Sequence, residues 1–151
     1  MKNKELFELL PKIELLKSLS GVELAYKIIS NKTIIKQQID IYEEMIQQSS
    51  EYKQYDEKRI QLCMEYADLD ELEKPIIINN MFQITNRTKF NELLLKLNSE
   101  NEATILAHFT QQRNGEEFLN KEINITLFKI DKTEIPNNIT VEQMDILMNM
   151  M

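Results

Sequence analysis

The sequence predicts an α+β fold: a long N-terminal helical region, a small antiparallel sheet made of a hairpin plus one strand, and a short C-terminal helix. Three observations carry this reading. Apolar residues recur at spacings of three and four from Leu6 to Ile46, the period of a helix with one buried face. Neither Gly nor Pro interrupts the chain between Gly21 and Pro75, so helix can run long there. Beyond Pro75, β-prone runs flank an Asn-Asn pair, which tolerates the positive φ of a tight hairpin turn. At 151 residues the chain has the size of one domain, 1–151, with a helical part over 1–67 and an α+β part over 75–151.

Taken in order, Leu6, Leu9, Leu10, Ile13, Leu16 and Leu19 form a first helical stripe. Pro11 lies inside it, where a kink or restart is expected because Pro removes a hydrogen-bond donor. Ser20-Gly21 breaks the pattern. From Val22 to Ile46, Leu24, Ala25, Ile28, Ile35, Ile39 and Tyr42 line one face of an amphipathic helix. The polar stretch Gln47–Arg59 offers a core only Tyr52 and Tyr55, and Ile60, Cys63, Met64 and Ala67 then resume the stripe. Continued to Tyr66, the helix would be a rod of roughly 65 Å that requires a partner, within the chain or as a homo-oligomer.

Ile76-Ile77-Ile78 and Met81-Phe82-Gln83-Ile84 read as a two-stranded hairpin. Phe90, Leu93, Leu94 and Leu97 mark a short helix ending near Asn98-Ser99, and residues 100–119 read as a weakly structured, largely polar loop. Ile123, Ile125 and Leu127 alternate with Asn124, Thr126 and Phe128, the pattern of a half-buried strand expected to join the hairpin. Thr140 and Gln143 form a capping-box pair ahead of Met144, Leu147, Met148 and Met151, which predict a terminal amphipathic helix.

The net charge of -7 and a pI near 4.9 argue against direct binding of nucleic acid or an anionic membrane, because both need a cationic face. No signal-like apolar segment or run of about 18 apolar residues is present, so a soluble protein of the cytoplasm is expected. Residues 1–66 carry 10 Lys/Arg against 11 Asp/Glu, and residues 67–151 carry 8 against 14, which concentrates negative charge in the second half. The densest run is Asp68, Asp70, Glu71 and Glu73, with Glu100, Glu102, Glu116 and Glu117 as extensions. It is not a calcium loop, because Glu73 and Asn79 stand where an EF-hand needs Gly and a bidentate Glu. The sole cysteine, Cys63, and sole histidine, His108, cannot assemble a zinc set, and both read as structural. No phosphate loop or nucleophile motif appears, so neither catalytic residues nor a metal or cofactor is expected.

Ala25-Tyr26-Lys27-Ile28 running into Ile41-Tyr42-Glu43-Glu44, Phe82-Gln83-Ile84 before Lys89-Phe90-Asn91-Glu92-Leu93, and Phe128-Lys129-Ile130 through Ile139–Asp145 together resemble a family of short phage and prophage proteins of unknown function from low-GC Gram-positive hosts. The resemblance implies a phage setting and transfers no catalytic residue. Combined with the charge, it leads to the expectation of a non-enzymatic module that inhibits or adapts a host or phage protein with a basic surface. A host-defence nuclease is one such partner, and Asp68, Asp70, Glu71, Glu73, Glu116 and Glu117 are the candidate contacts. The alternative is a virion or tail-assembly component that uses the long helix for oligomer contacts, and a small enzyme with a site assembled from scattered residues ranks below both.

Overall fold

A computed structural model describes all 151 residues. The chain is α+β and mostly helical, with six α-helices and one two-stranded antiparallel sheet. It divides into two compact units, Met1–Ile46 with Arg113–Met151, and Gln47–Gln112. These boundaries cut across both the helical part (1–67) and the α+β part (75–151).

In the first unit, α1 (Asn3–Ile13) runs through Pro11 without a break and ends in a 3-10 turn at Glu14–Leu16. Pro11 lies in the last turn of α1, so the one ladder bond it forgoes, to the Phe7 carbonyl, is near the helix end. Leu6, Leu9, Ile13 and Leu16 are buried, as the stripe predicts. The second helix, α2 (Val22–Ile46), buries Leu24, Ile28 and Ile35, with Ile39 packed at the margin of the same core. Asn31 sits among them, fully buried at a position where the stripe predicts an apolar residue.

The α2 helix does not continue to Tyr66. It stops at Ile46, and the chain re-enters helix as α3 (Ser50–Tyr66), where the Ser49 hydroxyl accepts the Tyr52 N–H at 3.1 Å. A side-chain oxygen that satisfies a free helix N–H starts a helix without Gly or Pro. The 65 Å rod is therefore two separate helices.

The predicted strand at 123–130 does not join the hairpin. No strand forms there: Ile123, Ile125 and Leu127 are half-buried in alternation with exposed neighbours, but the chain bends at Ile125 and its backbone bonds go elsewhere. The Ile123 N–H donates to the Met1 carbonyl, Ile130 to Met150, and Phe128 to the side chain of Asn31. These bonds hold the segment within the first unit, away from the hairpin edge. The terminal helix α6 (Val141–Met148) has the expected Thr140–Gln143 capping box, with each side chain bonding the other's backbone N–H at 3.1 Å. It closes the core through Ile146 and Leu147, followed by Met150.

In the second unit, β1 (Ile77–Ile78) and β2 (Met81–Phe82) form the expected hairpin, pairing Ile77 with Phe82 and Ile78 with Met81. Asn79 and Asn80 turn it at φ of 52° and 60°. The short helix α4 (Arg87–Glu100) buries Phe90, whose ring lies 6.2 Å from that of Tyr66. Residues 100–119 are not a loop. Glu100 ends α4, and from Glu102 on they belong to α5 (Glu102–Asn120), whose first residues lie in the second unit and whose last lie in the first. The inward positions of α5 are Thr104, Ile105, His108, Thr110, Gln111, Gly115, Phe118 and Leu119, of which five are polar or small. Such a face leaves no apolar stripe to read.

Candidate functional site

The acidic run lies between α3 and the hairpin and forms one hydrogen-bonded substructure with it. The Asp68 N–H donates to the Gln83 carbonyl at 2.7 Å, the Ile76 N–H to Asp68 at 2.8 Å, and the Asp70 N–H to Lys74 at 2.8 Å. Asp70 Oδ1 accepts the N–H groups of Leu72 (2.8 Å) and Lys74 (3.0 Å), a side chain standing in for a backbone turn. Asp68 accepts both the N–H and the hydroxyl of Thr85. These two aspartates therefore build the turn, whereas Glu71 and Glu73 project into solvent. Beside them stand apolar side chains that the turn leaves uncovered. Leu72 is 74% exposed and Met81 66%, with Leu69, Ile77 and Ile78 also exposed.

Glu116 and Glu117 are exposed on the part of α5 that belongs to the first unit, whereas Asp68–Glu73 belong to the second. The charge asymmetry between sequence halves also dissolves on folding. The first unit carries 11 Lys/Arg against 14 Asp/Glu and the second 7 against 11, net charges of -3 and -4. No group of three or more His, Cys, Asp or Glu side chains stands where it could hold a metal ion.

A groove of about 700 Å³ opens in the second unit, and sequence reasoning missed it because one wall is the helix read as a loop. Tyr52, Tyr55 and Arg59 come from one face of α3, and Ile105, Leu106 and Phe109 from α5. Asn98, Ser99 and Glu102 lie at the turn between α4 and α5. The signal that could have found it is Glu102-Ile105-Leu106-Phe109, spaced i, i+3, i+4, i+7 on a helix. Its polar groups are ordered. The Tyr55 hydroxyl donates to Asn98 Oδ1 at 2.7 Å, and burial pushes the Tyr55 phenol up from its ordinary pKa. The Arg59 guanidinium is held by Asp56 Oδ1 through Nε (2.9 Å) and Nη2 (2.8 Å). Partial burial works against its charge, but the hydrogen bond and charge of Asp56 outweigh this and raise its pKa. Behind the groove, His108 stacks face to face on Tyr52 with ring centroids 3.6 Å apart. His108 and the buried Cys63 thus both occupy packed positions.

No family model, curated protein or solved structure matches the chain. No helix is long and apolar enough to cross a membrane.

Proposed function

We propose that the protein is a non-enzymatic protein-interaction module whose contact surface is the acidic turn and hairpin, residues 68–83. The observation that carries this reading is Leu72 and Met81, largely exposed on a hydrogen-bonded turn that also projects Glu71 and Glu73. Apolar side chains held out by an ordered backbone supply area to a partner, and a carboxylate rim steers a basic one. The partner is a host or phage protein with a basic surface. The resemblance to phage and prophage proteins favours inhibition of a host-defence nuclease, reached within the host cytoplasm. Glu71 and Glu73, more than Glu116 and Glu117, are the carboxylates of this contact.

The test is capture of the partner by the tagged full chain, followed by kinetics with Leu72→Ala and with Glu71→Lys/Glu73→Lys. The expected result is faster dissociation for the first variant and slower, less salt-sensitive association for the second. Wild-type kinetics in both would overturn the assignment of this surface.

A further inference from the structure

The groove between α3 and the first half of α5 lies apart from the hairpin residues and has its own chemistry. Three aromatic rings line it, those of Tyr52, Tyr55 and Phe109. His108 covers one face of Tyr52, and the Tyr55 ring packs against Tyr52 at a tilt, with centroids 5.6 Å apart. Two charged residues line the groove, Arg59 and Glu102. Arg59 is ion-paired with Asp56, whereas Glu102 forms no ion pair, so the one unpaired charge among the lining residues is negative. With Asn98 Oδ1 engaged by Tyr55, the amide nitrogen of Asn98 is free to donate.

We propose that this groove is a receptor for a lysine or arginine side chain of a partner protein, seated against Tyr52, Tyr55 and Phe109 with Glu102 as its counter-ion. Ring faces attract cations through their quadrupoles, and a carboxylate at the rim adds the direct charge. Leu106 and Phe109, both about two-thirds exposed at 66% and 64%, cover the aliphatic stem. The Asn98 amide meets a carbonyl of the occupant's backbone. A volume of about 700 Å³ exceeds one side chain and accommodates the flanking residues. A neutral apolar side chain would satisfy the rings but leave Glu102 unpaired, which is what gives the site its selectivity.

The experiment titrates the full chain with N-acetyl-lysine methylamide and, as neutral isostere, N-acetyl-norleucine methylamide, following the ring resonances of Tyr52, Tyr55 and Phe109 by NMR. The lysine probe is expected to shift these rings and the norleucine probe not to. Glu102→Gln and Phe109→Leu, both at exposed positions, should each weaken the lysine probe about threefold. Equal response to the two probes, unchanged affinity in Glu102→Gln, or no shift at roughly 50 mM lysine probe, far beyond a Kd of about 1 mM, would overturn the proposal. The titration needs no partner and the hairpin variants retain the groove, so its failure is distinguishable from failure of the hairpin surface.

Discussion

Asn31 and Phe128 are joined by a pair of hydrogen bonds that reproduces, with one side chain, what a neighbouring strand would provide. Asn31 Oδ1 accepts the Phe128 N–H at 2.7 Å, and Nδ2 donates to the Phe128 carbonyl at 2.9 Å. The same Nδ2 lies 3.2 Å from Met150 Sδ. A fully buried amide in the middle of an apolar helix face is tolerated because its donor and acceptor both find partners. It locks the segment at 123–130 to α2.

Replacing Asn31 with Leu, which preserves the apolar stripe, should therefore destabilise. It strands the Phe128 N–H and carbonyl, at about 1–3 kcal/mol for each group left without a partner. Thermal or urea unfolding of the variant is the measurement, and a midpoint equal to the wild type would show that Phe128 finds other partners.

Gly115 is the close-approach point of α5 within the first unit. A Cβ at this position would stand 2.5 Å from Ile46 Cγ2 and 3.4 Å from the Tyr42 ring. Gly115→Ala should lower stability by about 1–3 kcal/mol through overpacking, even though Ala is the better helix former by about 1 kcal/mol. Ile46→Ala removes the clashing methyl, so in that background the added Cβ should cost far less. A double-mutant cycle by denaturant unfolding reads the coupling, and additive effects would refute the contact.

The Lys27–Glu134 pair gives stability a pH dependence of known sign. Lys27 Nζ donates to both Glu134 oxygens at 2.7 and 2.8 Å, and Glu134 Oε2 also accepts the Asp131 N–H at 2.7 Å. The Lys27 hydrogen bond first, then the backbone bond, hold the Glu134 pKa below its ordinary value. A carboxylate lowered in the folded state contributes stability above its unfolded pKa, about 4.3, and loses it as pH falls through the folded value. Melting temperature should thus decline on acidification below that point, and the decline should be shallower in Glu134→Gln. Identical acid profiles for the two proteins would count against the pair.

The parts of the fold that were legible in the sequence are those in which apolar pattern and packing agree. Ile28 and Ile35 marked the buried face of α2, Asn79-Asn80 marked the hairpin turn, and Thr140 with Gln143 marked the start of α6. Period-two alternation at 123–130 correctly reported that Ile123, Ile125 and Leu127 are half-buried, but no strand forms there. It could not report the bonding partners, which are the Asn31 side chain and the Met1 and Met150 carbonyls rather than the hairpin. The α2–α3 break depends on one Ser49 hydroxyl, and α5 turns Thr104, His108, Gln111 and Gly115 inward, where an apolar count sees nothing. The aromatic groove was lost with α5, since one of its walls is that helix. Of the six candidate carboxylates, the sequence could not separate Asp68 and Asp70, which bond the turn, from Glu71 and Glu73, which do not.

That separation is testable in the turn itself. Asp70→Ala removes the acceptor for the Leu72 and Lys74 N–H groups and should cost about 1–2 kcal/mol, the usual worth of two such hydrogen bonds at an exposed turn. Glu73 adopts a φ of 60°, the left-handed region, so Glu73→Gly should stabilise by about 1 kcal/mol because Gly carries no Cβ to strain there. Glu71→Lys, at an exposed position without such a role, should stay within about 0.5 kcal/mol of the wild type. Reversing all four acids together would confound turn loss with charge loss, whereas reversing Glu71 and Glu73 alone changes charge on an intact turn. Melting temperatures in the order Glu73→Gly, wild type close to Glu71→Lys, then Asp70→Ala are the expected outcome. A melting temperature for Asp70→Ala at or above that of the wild type would mean that the aspartate does not hold this turn.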